Sequence, residues 1–342
     1  MTDIFETVNR WVSQDRKFAL ATVIRTWGSG PRPVGSAMAV SADSEMAGSV
    51  SGGCVEGSVV KAALEVMEEG VPRLLKYGVT DEDAWAVGLS CGGAIHVYVE
   101  PFMAYQEQEK PVWTHLRDAV SRNESCILVT RLSSPGLGHL LVYPDGNTVG
   151  RQPEPELVEA ALTAFRERKH QVLENEQGQF FIQVFARKSQ MIIVGAAHIT
   201  ADLVRLADWY DFETVVIDPR GIFAEKTQFP VPPHQLINDW PAEVLPGLIL
   251  DEYTYAVLLS HDPQIDDEAL DILLRSKVAY IGALGSKRTQ EKRVKRLENA
   301  GFGEAGIARV HGPVGVDINA RRPKEIALSI MAEVIKVQHQ FG

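Results

Sequence analysis

The sequence is short of the features that mark several protein classes. It has three cysteines among 342 residues. None stands in a Cys-x-x-Cys pair or at zinc-finger spacing, which excludes a disulfide-stapled secreted scaffold and a structural zinc module. No apolar run approaches the ~18 residues that span a bilayer. The mixed, charged segment from Met1 to Arg16 lacks the apolar stretch of a signal peptide. Basic residues are in the minority: 34 Lys and Arg face 45 Asp and Glu, for a net charge of -11. That balance excludes a nucleic-acid binder of the ordinary basic kind. No internal repeat and no low-complexity tract is visible. The expected setting is cytoplasmic, with no membrane or nucleic-acid partner.

What is present is ordinary in bulk and unusual in two places. The chain is 45% hydrophobic and 23% charged, ample for real cores, and its length fits one large or two ordinary domains. Two of the three cysteines sit against glycine pairs, in Ser51-Gly52-Gly53-Cys54-Val55-Glu56-Gly57 and Ser90-Cys91-Gly92-Gly93. Glycine beside a thiol lets backbone approach a ligand closely and adopt conformations other residues resist. The periodic run over 58–69, closed by Gly70, predicts a helix, so Cys54 belongs to a loop at a helix N-terminus. Free N–H groups and the dipole there favour anions. Small buried cysteines in tight turns are common. Two in matched glycine settings instead point to a ligand-facing pair of loops, sulfur-handling or metal-binding through Cys54 and Cys91. Cys126, inside Cys-Ile-Leu-Val-Thr, reads as core.

The pattern predicts an α/β protein of two domains, 1–188 and 189–342. In the first, strands are expected over 18–25, 37–41, 48–51, 73–77, 94–100, 125–131, 139–143 and 179–186, with a helix over 154–168 and a surface loop over 106–110. In the second, short apolar strands over 191–194, 214–217, 255–260 and 278–281 alternate with helices. Non-alternating strands between helices predict a Rossmann-like, doubly wound parallel sheet covered on both faces.

Residues 191–200 have the outline of a dinucleotide fingerprint: a strand, Gly195, then a helix opening at His198. Asp218 ends the next strand, close to the ~20-residue spacing of a ribose-binding acid. Ala197 and Thr200 stand where the second and third glycines would be, so NAD(P) binding is expected to be weak or absent. Ser260-His261-Asp262-Pro263 and the loop from Gly282 to Ser286 end two later strands, where open α/β sheets bind ligands. Ser286 before basic residues resembles an anion site, and Asp317 is a cap-region or ligand-contact carboxylate.

Taken in order, these motifs resemble the XdhC/CoxI family of xanthine dehydrogenase accessory proteins over nearly the full length. The first half carries Gly28-Ser-Gly-Pro-Arg32-Pro33, the Gly52-Gly53-Cys54 loop and Leu89-Ser-Cys91-Gly92-Gly93. The second carries Val216-Ile-Asp218-Pro-Arg220, Ser260-His261-Asp-Pro263, Tyr280 to Ser286 and Asp317-Ile-Asn-Ala320. The family's usual Gly-x-Gly-His reads Gly195-Ala-Ala197-His198 here. The resemblance implies a maturation factor rather than a catalyst. It would bind molybdenum cofactor, support its sulfuration and hand it to a molybdenum hydroxylase such as xanthine dehydrogenase. A cysteine desulfurase is a further implied partner, and a homodimer is compatible with it. Implied contacts are Arg32, Gly52, Gly53, Cys54, Glu56, Cys91 and Gly92 in the first half. In the second they are Gly195, His198, Asp218, Arg220, His261, Ser286 and Asp317. The alternative is an NAD(P)-dependent oxidoreductase working through the second domain.

Overall fold

A computed structural model of the chain describes residues 1–28, 30, 32–78, 93–132, 138–152, 154–221 and 229–339. The chain divides into two compact units, Met1–Ala186 and Arg187–Gly342.

The first unit starts with α1 (Phe5–Ser13), β1 (Phe18–Trp27), β2 (Ala37–Ser41) and β3 (Met46–Gly48). It continues with α2 (Glu56–Glu69), β4 (Arg73–Tyr77) and β5 (Ala94–Pro101). Its five strands pair antiparallel in the order β3–β2–β1–β5–β4. The same succession then runs again. It comprises α3 (Lys110–Ser121), β6 (Cys126–Arg131), β7 (His139–Val142), β8 (Thr148–Gly150), α4 (Pro155–Glu167), β9 (Gln171–Asn175) and β10 (Gly178–Phe185). The second sheet is ordered β8–β7–β6–β10–β9, again antiparallel. The unit is therefore a structural duplication, although its sequence shows no repeat.

Register makes the correspondence residue by residue. Met38 lies opposite Gly48 in one sheet, and Leu140 opposite Gly150 in the other. Both glycines hold positive φ, +83° and +112°. A Cβ on Gly48 would stand 2.3 Å from the Ala37 carbonyl oxygen and 2.6 Å from Ile4; on Gly150 it would stand 2.6 Å from the His139 carbonyl oxygen and 2.7 Å from Val112. Each glycine thus lets the helix that opens its repeat lie close over the strand edge.

Each sheet buries one face under its own crossing helix. Val59, Ala63 and Val66 of α2 cover the first, and Leu157, Ala161 and Ala164 of α4 the second. The remaining faces share a core with α1 and α3, built on Phe5, Trp11, Phe18, Trp113, Leu128 and Phe185. Phe5 and Trp113, at matching places in α1 and α3, approach to 5.6 Å between ring centroids. Each such buried side chain contributes about 1.5–3 kcal/mol. Burial on both faces explains why β1 and β6 read as apolar runs and not as alternating strands.

One charged group crosses this core. His139, 1% exposed, lies between Glu100 at 3.3 Å and Glu109 at 3.1 Å. Burial opposes its charge, but the two carboxylates outweigh that and push its pKa up to about 10. The equivalent position in the first repeat is Ala37, which carries no charge.

The second unit runs β11 (Gln190–Val194), α5 (His198–Trp209), β12 (Glu213–Ile217), β13 (Gln235–Ile237), α6 (Pro241–Val244) and β14 (Thr254–Leu258). It then runs α7 (Pro263–Arg275), β15 (Tyr280–Ala283), α8 (Lys287–Asn299), α9 (Glu304–Ile307), β16 (Val310–His311) and α10 (Pro323–Gln338). All six strands are parallel, ordered β13–β12–β11–β14–β15–β16. This is the doubly wound Rossmann order, with its switch point between β11 and β14. Leu203, Val204, Ile330 and Met331 from α5 and α10 pack on one face. Leu270, Leu273 and Leu297 from α7 and α8 pack on the other.

Three local expectations need correction. Residues 49–51 are loop, because β3 stops at Gly48, and Gly52 and Gly53 then turn at φ +75° and +117°. The surface loop expected over 106–110 ends in the first residue of α3, whose apolar face carries Trp113 and Leu116. Helix α1 and strands β8 and β9 were not expected at all. Among the described residues, no helix is long and apolar enough to cross a membrane.

Candidate functional site

The loop from Ser49 to Val55 joins β3 to α2 and is organised around one side chain. Glu56 is the first residue of α2. Its carboxylate accepts the Ser49 hydroxyl at 2.7 Å, the Ser51 N–H at 2.9 Å, the Ser51 hydroxyl, and the Gly53 N–H at 2.9 Å. The serine oxygens complete the set: Ser49 Oγ accepts the Gly52 N–H at 2.8 Å, and Ser51 Oγ accepts those of Cys54 and Val55 at 3.0 and 2.9 Å. Every backbone N–H from Ser51 to Val55 is thereby committed. Burial works against the Glu56 charge, but hydrogen bonds from Ser51 and Ser49 hold its carboxyl down at about 2.

Glu56 is thus the anion of its own nest. The N–H groups that sequence alone would offer to an incoming anion are already in use. The loop presents two other things outward. One is Cys54, half-buried against the α2–sheet core. The other is glycine backbone: among the described residues, a Cβ on Gly52 or Gly53 would meet nothing within 4 Å. Glycine is required there by φ and not by crowding. Beside the loop, Tyr77 donates to Ser58 Oγ at 3.0 Å, tying β4 to the first turn of α2. Sequence reasoning missed Ser49, Ser51 and Ser58. The signal for the first two was a Ser-x-Ser-x-x-x-x-Glu spacing around a helix start, the logic of a capping box. Cys91 and Gly92 lie outside the described residues.

Arg32 lies elsewhere in the first unit, in a cavity of about 280 Å³ lined also by Asp3, Gly35, Ser36, His170 and Gln183. It pairs with Asp3 at 3.0 Å, and its Nε is buried with no hydrogen-bond partner among the described residues. His170 accepts the Val184 N–H at Nδ1, and burial lowers its pKa to about 4, so it is neutral at physiological pH.

In the second unit the strand ends bring three expected residues, Gly195, Asp218 and Arg220, together around the Ser260 backbone. Gly195 holds φ +104°, and a Cβ there would stand 2.5 Å from the Ser260 N. No side chain fits between the ends of β11 and β14. Asp218, fully buried, accepts the Ala196 N–H at 2.7 Å. Arg220 grips the same carboxylate through Nε at 2.9 Å and Nη2 at 2.7 Å, and donates from Nη1 to the Ser260 carbonyl at 3.0 Å. Burial raises the Asp218 pKa, but Arg220 and the Ala196 N–H outweigh it and the net shift is downward. The acid expected to meet a ribose instead closes a latch across the crevice. His261, exposed and at φ +61°, follows Ser260, and His198 is exposed at the start of α5. Ser286 caps α8 by accepting the Thr289 N–H at 3.2 Å, and Asp317 accepts the Asn319 N–H at 3.1 Å. Both serve local turns. Among the described residues, no group of three or more His, Cys, Asp and Glu is arranged to hold a metal ion.

Comparison with known proteins places this geometry. The XdhC and CoxI family model matches residues 11–78, the stretch that holds the Cys54 loop, and the XdhC Rossmann domain model matches residues 191–334. A crystal structure described as a xanthine dehydrogenase from Bacillus halodurans aligns over 99% of this chain and 96% of its own. Its TM-score is 0.76 and its identity 30%. The chain belongs to the XdhC and CoxI family. Among curated family relatives, a protein of Bacillus subtilis named as a probable xanthine dehydrogenase subunit is 28% identical, over 99% of this chain and 98% of its own length. A molybdenum cofactor insertion chaperone, PaoD, from Escherichia coli is 26% identical, over 99% of this chain and 91% of its own length.

Proposed function

We propose that this protein carries molybdenum cofactor as cargo, supporting its sulfuration and its insertion into a xanthine dehydrogenase-type hydroxylase. The observation that carries the reading is the Cys54 loop: a half-buried thiol on a backbone whose N–H groups are already satisfied. The cofactor is an anionic, phosphorylated pterin dithiolene with a sulfur-loving metal. A thiol is the soft group such a centre prefers, and no described residue crowds the glycines beside it. The names of the Bacillus and Escherichia relatives support the same reading.

The two expected cations differ in availability. Arg32 is bound to Asp3 by an exposed ion pair, worth about 0–1 kcal/mol, which a phosphate can displace. Arg220 is fixed by a fully buried carboxylate, which cannot be released without stranding a charge. Of the two, Arg32 is the phosphate contact we propose. For the second unit we propose weak or absent NAD(P) binding, because Asp218 is turned inward and Ala197 adds a methyl where a pyrophosphate must approach backbone. A dissociation constant in the low-micromolar range by titration calorimetry would overturn that part.

The test of the whole is reconstitution: apo-hydroxylase and cofactor, with wild type, Cys54→Ser or no added protein, followed by turnover. Wild type is expected to raise activation, and Cys54→Ser to fold normally yet activate poorly. Equal activation with and without wild type sinks the carrier reading. Equal activation by wild type and Cys54→Ser keeps the carrier and removes Cys54 from its action.

A further inference from the structure

The second repeat places cations where the first places its thiol. In the first, Cys54 packs against a sheet face that includes Val23 and Val97. Register equates these two with Arg131 and Phe180. Val23 donates its N–H to the Ser36 carbonyl and lies opposite Val97; Arg131 donates to the Gly138 carbonyl and lies opposite Phe180. Direct cross-strand partners share a sheet face, so Arg131 stands with Phe180 on the side covered by α4.

A second guanidinium reaches the same ring. Arg151 follows β8, on the far side of β7 from Arg131. Its side chain crosses Gly138, where a Cβ would stand 3.7 Å from both Arg151 Cδ and Nη1. The guanidinium carbons of Arg131 and Arg151 lie 6.0 and 5.9 Å from the Phe180 ring centroid. Their charge is incompletely answered. Among the described residues, one carboxylate pairs with either arginine: Glu154, 3.4 Å from Arg151. Arg131 spends Nη2 on the Gln177 carbonyl at 2.9 Å, and its Nε is buried with no hydrogen-bond partner among the described residues. Two like charges at one ring and an unanswered buried donor both favour an anion. The neighbouring helix start favours it too. At α2, Glu56 turns its own carboxylate onto the backbone N–H groups. At α4, the N-cap Glu154 makes no such bond.

We infer that the second repeat binds a dianionic phosphate group through Arg131 and Arg151 at the start of α4. Guanidinium forks match phosphate oxygens in pairs. The site uses neither Cys54 nor Arg32 and does not rest on the cofactor reading. Its ligand is inorganic phosphate or the phosphate of an ester, which present the same dianion. The test is titration calorimetry on the full chain at pH 8 and constant ionic strength, with inorganic phosphate and, separately, phenyl phosphate. Saturable binding is expected with a dissociation constant of about 1 mM or tighter, and the tighter of the two anions names the source. Arg131→Gln and Arg151→Gln should each weaken it about 10-fold or more, as loss of hydrogen bonds to a charged group does. Arg151→Lys keeps the charge without the fork and should fall between. Arg117→Gln, at an exposed arginine of α3 paired with Asp118, should bind as wild type. Phosphate should also raise the melting temperature of wild type and leave that of Arg151→Gln unmoved. Should Arg131→Gln fail to fold, the part-exposed Arg151 decides. No saturable heat from either anion overturns the inference, and so does equal binding by wild type and Arg151→Gln. Binding lost in Arg32→Gln and kept in Arg151→Gln overturns it as well, by giving the phosphate to the Arg32 cavity.

Discussion

The two repeats of the first unit agree in strand order, in the helix that opens each, in the helix that covers each sheet and in the glycine that ends each third strand. They part at one junction. Between β3 and α2 the chain takes residues 49–55 and wraps them around Glu56. Between β8 and α4 it takes only residues 151–154, and the corresponding acid, Glu154, has no loop to organise and meets Arg151 at 3.4 Å. One repeat thus bears a thiol loop on a scaffold that the other shows to be sufficient without it. The scaffold is set by burial, and the site is an addition at a helix start. A second contrast lies in the shared core, where the first repeat contributes Ala37 and the second contributes the charged His139.

The largest effect should come from that charged position. His139→Ala strands Glu100 and Glu109 without their cation and should cost about 3–5 kcal/mol in urea unfolding, against under 1 kcal/mol for a conservative change at its neutral counterpart Ala37. His139 has a raised pKa in the fold. Its contribution is therefore complete below the unfolded value near 6.5 and is lost as pH climbs toward about 10. His139→Gln should remove that alkaline decline, and a variant that kept it would show the cluster is not its cause.

Next come the paired glycines. Gly48→Ala and Gly150→Ala should cost alike, about 2–3 kcal/mol each, since both force a Cβ into a carbonyl at positive φ. A difference beyond about 1.5 kcal/mol would break the equivalence of the repeats.

Glu56 distinguishes them again. Glu56→Gln should cost about 1–2 kcal/mol by weakening charge-assisted hydrogen bonds in a partly exposed loop. Glu154→Gln should cost less, about 0–1 kcal/mol, because it loses one long, part-buried ion pair. Because the Glu56 pKa is depressed, its contribution is present above the unfolded value near 4.3 and fades as pH falls toward about 2. An acid limb unchanged in Glu56→Gln would remove the carboxylate from the loop's support.

The smallest effect on stability and the sharpest on chemistry concerns the thiols. In a Cys91→Ser background, Cys54 should react with a thiol reagent in the native protein. Cys126, at the place of Phe18, should not, since burial pushes its thiol up to about 12 and no surface is exposed. Native labelling of Cys126, or its absence at Cys54, would reverse the assignment of exposed and buried thiol.

The second unit was the more legible in sequence, because a strand buried on both faces between helices has few other ways to pack, and its parallel order followed. The duplication was hidden because the repeats conserve burial and not identity: Phe18 stands for Cys126, Ala37 for His139 and Ile4 for Val112. In the candidate site, the Gly52-Gly53-Cys54 loop and the Asp218 spacing were visible. Where the carboxylates pointed was not. Glu56 and Asp218 both read as ligand contacts, and both turn inward to backbone N–H groups. That choice depends on which donors the folded backbone brings within 3 Å, which linear spacing does not state.

The self-contained hydrogen bonding of the Cys54 loop has a kinetic meaning. A loop that folds only around its ligand must be ordered at each arrival and melts at each departure, so exchange carries a reorganisation barrier in both directions. Here Glu56 and two serines keep the shape with nothing bound. A ligand that docked at Cys54 would find the loop already formed, and its residence time would depend on its own contacts alone.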